Sequence, residues 1–229
     1  MSYNLDDVTT WGGFKPTIIA HDVGRSRDRS TAVVGGNCPY GRRLLGIAEA
    51  EELPQGLFGS ARASALAAVD RRYHNNALII ADLTYDPTYG EVLLENFRAR
   101  VIGLHISRHG DGMGVEMRPT KHGYIPVYTI GRSYLLELFQ SELQSDLVRF
   151  AKHPLIRRAY EQLNNLETEF REGGMIYTCP PGLQDDLGMS CAMLAWAARH
   201  PHLEAWLRNL ESALRPRRHR QPYGWASFV

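Results

Sequence analysis

Short apolar runs alternate with amphipathic segments along this chain, and the first three runs follow one another without a helix between them. These runs are Thr17–Asp22, a segment from Ser30 and a segment from Arg42, and turn residues separate them. Their β-branched and aliphatic residues predict three consecutive strands that form a meander. Residues 60–75 then place their apolar side chains on one stripe, which predicts a helix with Ser60 as its N-cap.

The rest of the chain shows strands and helices in alternation. Residues 77–82 and 101–107 are apolar without polar alternation, as expected of strands covered on both faces. We predict a hairpin between Gly114 and Thr129 and a short strand over 146–151. Helical patterns cover residues 89–97, 132–143, 154–171, 184–199 and 202–214. Together they predict an α/β fold with a mixed central sheet and helices on both faces.

Length and composition are those of an ordinary globular domain. The chain has 229 residues, of which 44% are hydrophobic and 22% charged, which is ample for a packed core. We predict a lead-in over residues 1–16, one domain over 17–214 and a basic tail over 215–229. The chain has no apolar stretch long enough to span a membrane, its polar and acidic N-terminal residues are unlike a signal peptide, and its three cysteines form no CxxC pair. These features predict a cytoplasmic protein with reduced cysteines and no membrane partner.

Four aspartates stand at positions that favour a functional site. Asp22 and Asp82 each close a predicted strand, and Asp185 and Asp186 open the final predicted helix. Sites in open α/β sheets form at the carboxyl ends of strands, so Asp22 and Asp82 emerge side by side if their strands are neighbours. A purely structural explanation exists for each aspartate, because acids also favour turns and the first turns of helices.

Gathering these carboxylates in one place requires protons or cations. At a separation of about 4 Å and an effective dielectric constant of about 20, each like-charged pair costs about 4 kcal/mol. Hard oxygen ligands favour Mg²⁺ or Mn²⁺, and two such ions close together promote phosphodiester cleavage. The pattern therefore predicts metal-dependent phosphoryl chemistry.

Arginine supplies most of the positive charge, and its guanidinium suits phosphate binding. Arg25, Arg27 and Arg29 follow the first strand-ending acid and are the more convincing candidates for contacts with a phosphate backbone. Arg108 and Lys121 lie in a turn-rich region and are further candidates, although a solvated hairpin explains them at least as well. The net charge of +1 does not by itself indicate nucleic acid.

Three segments resemble the motifs of the nuclease domain of the large terminase subunit of tailed phages and gene transfer agents. They are HDVGRSRDRSTAVV, IIADLTYDPTYGEVLLENF and PPGLQDDLGMSCAMLAWA, the last with paired acids that open a helix. The resemblance extends over residues 17–200. It implies the ribonuclease H-like fold, shared with Holliday-junction resolvases, and cleavage of concatemeric double-stranded DNA during genome packaging.

The resemblance also implies roles for individual residues. Asp22, Asp82 and Asp186 would be catalytic ligands of two Mg²⁺ or Mn²⁺ ions, and Asp185 would be an additional catalytic ligand or base. The implied partners are double-stranded DNA, a packaging ATPase, the small terminase subunit and the portal.

The chain departs from the family pattern at several positions. It contains neither GxxxxGKS nor GxxxxGKT, so it carries no packaging motor, and we expect either an excised domain or a free-standing nuclease. Gln184 stands where many relatives have histidine, and Met189 and Ser190 stand where many have another acid. Asp28 and Asp86 are lesser candidates at the same edge. The alternatives are a resolvase-type junction nuclease and an inactive docking module of the packaging machinery.

Overall fold

The computed structural model describes residues 5–6, 14–24, 29–38, 44–108, 114–171, 174–180, 183–203 and 207. The strands are β1 (Leu5–Asp6), β2 (Ile18–Asp22), β3 (Thr31–Asn37), β4 (Leu45–Glu52), β5 (Leu78–Asp82), β6 (Val101–Ser107), β7 (Gly114–Thr120), β8 (Gly123–Gly131), β9 (Val148–Ala151), β10 (Glu167–Arg171) and β11 (Gly174–Thr178). The helices are α1 (Gly59–Arg72), α2 (Tyr89–Phe97), α3 (Arg132–Gln144), α4 (Pro154–Asn164) and α5 (Asp186–Arg199).

One large sheet organises the molecule, with the strand order β1-β9-β4-β3-β2-β5-β6-β8-β7. The predicted meander is confirmed, because β2, β3 and β4 are antiparallel neighbours. β2 pairs with β5 in parallel, and β6 and β8 continue in the same direction. The last residues of these four strands therefore meet at one end of the sheet, here named the carboxyl edge: Asp22, Asp82, Ser107 and Gly131.

Helices cover both faces of the sheet, which confirms the predicted mixed α/β architecture. α1 and α2 pack on one face, over an apolar core that includes Ile19 and Leu93. α3, α4 and α5 pack on the other face, over a core that includes Ile18 and Leu135. Ile18 and Ile19 are both fully buried on opposite faces, which explains the continuous apolar sequence of β2.

α5 is buried along most of its length, and this accounts for the unpatterned apolar sequence that follows Asp186. Every residue from Leu187 to Ala198 is buried, because the sheet lies under α5 and α3 and α4 pack against it. At Gly188 an added Cβ atom would lie 3.0 Å from Cγ of Leu163 on α4. Tight packing on several sides therefore fixes the position of α5 relative to the sheet.

The structure corrects the prediction of one helix over residues 154–171. α4 ends at Asn164, and β10 and β11 follow as a separate antiparallel two-stranded sheet. Asn164 and Asn165 weaken the helix there because asparagine has a low helix propensity. Thr168 and Phe170 favour the extended conformation that comes next.

The predicted start of α1 was also wrong. Phe58 occupies the N-cap in an extended conformation, without a side-chain hydrogen bond, and Ser60 lies inside the helix. The predicted helix over 202–214, most of the lead-in and the tail over 215–229 fall largely outside the described residues, so the domain boundaries stay predictions. No helix among the described residues is long and apolar enough to cross a membrane.

Gly35 offers a test of the packing between the meander and α5. An added Cβ atom would lie 2.3 Å from the carbonyl oxygen of Gly46 and 3.0 Å from Leu194 of α5. Because the Gly46 backbone cannot yield as a flexible side chain does, we expect Gly35→Ala to lower the free energy of unfolding by about 1–3 kcal/mol in urea denaturation.

Gly114→Ala is the matched control, since a Cβ atom there has open space. We expect it to change the free energy of unfolding by less than about 0.5 kcal/mol. Equal losses in the two variants would contradict this account of the packing.

Candidate metal and phosphate site at the carboxyl edge

A cavity of about 520 Å³ opens at the carboxyl edge of the sheet. All four predicted acids line it, namely Asp22, Asp82, Asp185 and Asp186. The start of α3 and part of β11 complete its wall. The condition under which Asp22 and Asp82 emerge side by side is met, because β2 and β5 are parallel partners.

The strand-ending acids are held by hydrogen bonds around the ends of β2 and β5. Thr84 donates from both its backbone nitrogen and its hydroxyl to Oδ1 of Asp82. The same hydroxyl accepts a hydrogen bond of 2.7 Å from the nitrogen of Ile106 on β6. Two residues after Asp22, Gly24 donates to the hydroxyl of Ser30 at 3.0 Å. Both carboxylates therefore stand on backbone that neighbouring strands hold in place.

The paired acids are positioned by the way the start of α5 is attached to β3 and α4. Asp186 is the first residue of α5, and its carbonyl oxygen accepts a hydrogen bond of 3.3 Å from the hydroxyl of Thr31. The hydroxyls of Thr31 and Ser190 are 2.8 Å apart and hydrogen-bonded. The nitrogen of Gly188 donates to Gln162 of α4 at 3.1 Å. Ser190 thus anchors the helix to the sheet, while Met189 lines the cavity.

Burial and mutual repulsion disfavour the simultaneous ionisation of these acids. Burial raises the pKa of Asp22 well above its ordinary value, and the carboxylates of Asp82, Asp186 and Asp185 raise it further. Burial also raises the pKa of Asp82, although its hydrogen bonds from Thr84 oppose this. A cation bound among these groups would relieve the repulsion.

Arg132 is a cavity residue that the sequence interpretation missed. It is the first residue of α3, directly after β8, and its Nη2 donates to Oδ2 of Asp185. Its guanidinium lowers the pKa of both Asp22 and Asp82, against the effect of burial. A signal was present in the sequence, because Arg132 follows the end of an apolar segment just as the strand-ending acids do.

The predicted DNA-binding residues lie at different distances from the acids. Arg108 lines the cavity, and its Nη2 donates to the hydroxyl of Tyr85 at 3.4 Å. Arg29 is paired with Glu52 at 2.8 Å and does not line the cavity. Lys121 lies in the turn before β8, at the opposite end of that strand from Arg132. Arg25 and Arg27 fall outside the described residues, as does Asp28.

The remaining sequence candidates have local structural contacts. Asp86 caps the start of α2, where its Oδ1 accepts from the hydroxyl of Thr88 at 2.7 Å and from the nitrogen of Tyr89 at 3.2 Å. Gln184 accepts a hydrogen bond of 3.4 Å from Arg158. The side chain of Asp86 therefore holds the turn that leads into α2.

The donor chemistry of the cavity suits a hard divalent cation. Asp22, Asp82 and Asp186 offer carboxylate oxygens, the ligand type that Mg²⁺ and Mn²⁺ prefer. Within the part of the chain that the structure describes, no three His, Cys, Asp or Glu side chains are already arranged around a common ion position. The acids therefore share one cavity without being arranged around a common position.

Comparison with known proteins identifies relatives by fold. No family model matches the chain, and no curated protein matches its sequence. The large terminase nuclease of the thermophilic phage G20c is 17% identical, with 84% of this chain and 85% of that chain covered and a TM-score of 0.51. The same nuclease with bound magnesium covers 80% and 82% at 17% identity and a TM-score of 0.52.

A third solved structure adds to this likeness. The large terminase nuclease domain of bacteriophage SPP1 with bound Mn is 14% identical, with 85% of this chain and 93% of that chain covered and a TM-score of 0.50. At these identities the comparison establishes the fold. The chain has the ribonuclease H-like α/β fold of large terminase nuclease domains, which confirms the predicted fold class.

The raised pKa of Asp22 predicts how the stability of the metal-free protein depends on pH. The folded state binds this proton more tightly than the unfolded chain, where the pKa is 3.8. The unfolded chain therefore releases the proton first as the pH rises, and the folded state loses stability between that value and the folded pKa. We expect Asp22→Asn to remove this loss, so that the variant is more stable than the wild type at neutral pH.

This prediction is checked by urea denaturation in EDTA. The two proteins should differ little at about pH 3, where Asp22 is protonated in both the folded and the unfolded wild-type states. Glu95→Gln, which removes an exposed acid on α2, is the control and should track the wild type at every pH. Lower stability of Asp22→Asn at neutral pH would show that the carboxylate is not under repulsion.

Proposed function

We propose that this chain is a metal-dependent endodeoxyribonuclease that cuts concatemeric double-stranded DNA in phage-type genome packaging. The observation that carries the proposal is that Asp22, Asp82, Asp185 and Asp186 all line one cavity at the carboxyl edge. The fold shared with large terminase nuclease domains supports it. So does the presence of bound magnesium and manganese in two of those structures.

The proposed metal ligands are Asp22, Asp82 and Asp186, and we expect them to hold two Mg²⁺ or Mn²⁺ ions. When bound, such ions supply an activated water and stabilise the leaving oxygen of a phosphodiester. Thr84 orients Asp82, and the attachment of α5 to β3 orients Asp186. Asp185 shares the cavity and is the fourth catalytic candidate.

Positive side chains around the cavity would bind the DNA backbone. Arg108 is the best placed of the predicted set, because it lines the same cavity as the acids. Arg25, Arg27 and Arg29 belong to the segment that follows Asp22, and Lys121 would contact DNA only at a distance from the cleavage position. Contacts of this type are with phosphates, so we expect little sequence specificity.

The packaging role implies further partners. A packaging ATPase, the small terminase subunit and the portal are the proposed partners besides double-stranded DNA, and the bacterial cytoplasm is the proposed location. The ATPase would be needed from elsewhere, because this chain has no phosphate-binding loop of the GxxxxGKS or GxxxxGKT type.

The proposal is tested by nicking of supercoiled plasmid with Mn²⁺ or Mg²⁺. We expect the wild-type protein to cut, EDTA to abolish cutting, and Asp22→Asn, Asp82→Asn and Asp186→Asn each to lower the rate by at least about 100-fold, because each removes a carboxylate that holds the ions. Glu95→Gln, the exposed acid on α2, should retain the wild-type rate.

Two outcomes would redirect the functional assignment. Cleavage of a four-way junction in preference to a linear duplex would indicate a resolvase-type nuclease. Absence of cleavage with any divalent metal would contradict the enzyme assignment and favour a docking module of the packaging machinery.

A further inference from the structure

Arg132 is a positive charge held inside the acidic cavity by two elements besides its own helix. Its Nη2 donates to Oδ2 of Asp185, and its Nε donates to the carbonyl oxygen of Tyr177 on β11 at 3.5 Å. Its side chain is 24% exposed, and that of Asp185 is 17% exposed. A guanidinium fixed in this way has already lost much of its rotational freedom, which favours binding through a defined geometry.

The position of Arg132 is unfavourable for metal binding taken alone. Its charge acts on Asp22 and Asp82, which stand on two different strands, and thus lies within electrostatic reach of two proposed ligands. A permanent cation there repels a divalent ion that enters the same cavity. Such a charge becomes favourable when an anion enters together with the metal, and the phosphate group of a nucleic acid is an anion of this kind.

The hydrogen bonds of Arg132 leave one guanidinium nitrogen for that anion. Nε and Nη2 are used by Tyr177 and Asp185, and among the described residues Nη1 donates no hydrogen bond. The carboxylate of Asp185 accepts the hydrogen bond from Arg132. This contact distinguishes Asp185 from Asp186, the first residue of α5.

We propose that Arg132 contacts the DNA phosphate at the cleavage position and that Asp185 is the residue that positions Arg132, not a metal ligand. This inference rests on the proposed nuclease function. It assigns different roles to the two acids at the start of α5. Asp186 binds the metal, and Asp185 positions Arg132, which contacts the DNA phosphate.

The inference is tested by measuring metal binding and DNA binding separately. Binding of Mn²⁺ alone is followed by isothermal titration calorimetry, and binding of a fluorescent linear duplex is followed in Ca²⁺ over a series of salt concentrations. We expect Arg132→Gln to leave Mn²⁺ affinity unchanged or to tighten it. We expect the same variant to weaken duplex binding about tenfold, the effect of one charged hydrogen bond.

The salt series identifies the lost contact as a phosphate contact. The slope of log K against log salt should fall in magnitude by about 0.9 in Arg132→Gln, as for one phosphate. Arg132→Lys should keep most of that slope but cleave more slowly, because lysine retains the charge and lacks the planar fork. Arg71→Gln, an exposed arginine in the last turn of α1 at the other end of the sheet, is the matched control and should match the wild type.

Asp185→Asn distinguishes a positioning residue from a metal ligand. If it acts through Arg132, it leaves Mn²⁺ affinity unchanged, weakens duplex binding, and adds nothing further to Arg132→Gln in the double variant. Weaker Mn²⁺ binding in Asp185→Asn, additive with Arg132→Gln, would overturn the positioning role.

Other results would overturn the role of Arg132 itself. Unchanged duplex affinity and an unchanged salt slope in folded Arg132→Gln would contradict the phosphate contact. If that variant fails to fold, a wild-type cleavage rate in Arg132→Lys would contradict it. Cleavage by the wild-type protein is measured separately. If duplex binding depends on Arg132 but no divalent metal supports cleavage, the nuclease function is refuted and the phosphate contact is retained.

Discussion

Repulsion between carboxylates at the carboxyl edge is the constraint on which this structure depends. Four aspartates line one cavity, and burial together with the neighbouring acids raises the pKa of Asp22. The fold tolerates this arrangement because two apolar cores, one on each face of the sheet, hold the strands and helices that carry the acids. Arg132 offsets part of the negative charge, and the remaining charge is of the sign that a cation would neutralise.

Several hydrogen bonds fix the positions of these acids. Thr84 ties the end of β5 to β6 and fixes one oxygen of Asp82, while Thr31 and Ser190 tie α5 to β3. Both connections run between neighbouring elements at the same edge. Hydrogen-bonded backbone at the ends of the strands and at the start of α5 therefore positions the acids, while the apolar cores supply most of the stability.

The sequence was informative where a local pattern determines the three-dimensional outcome. Asp22 and Asp82 were predictable because buried parallel strands have a recognisable apolar sequence and end at a common edge. Arg132 also follows an apolar segment, but its place in the cavity depends on β8, the second strand of the β7–β8 hairpin, pairing in parallel with β6, and the local pattern does not determine that pairing. The pattern of residues 167–171 misleads because the described residues of β10 are exposed and show no apolar alternation; Phe170 is 81% exposed.

The burial of α5 also has a consequence for how such a site changes over evolutionary time. A helix enclosed along Leu187–Ala198 leaves no room to slide or rotate, since each displacement would open voids or create clashes on several sides at once. The position of the acids at the start of α5 relative to the sheet is therefore fixed. Sequence drift that changes the ligand preference of the site is therefore confined to the other described residues around the cavity, among them Gly24 after β2, Arg108 after β6, the beginning of α3 and part of β11.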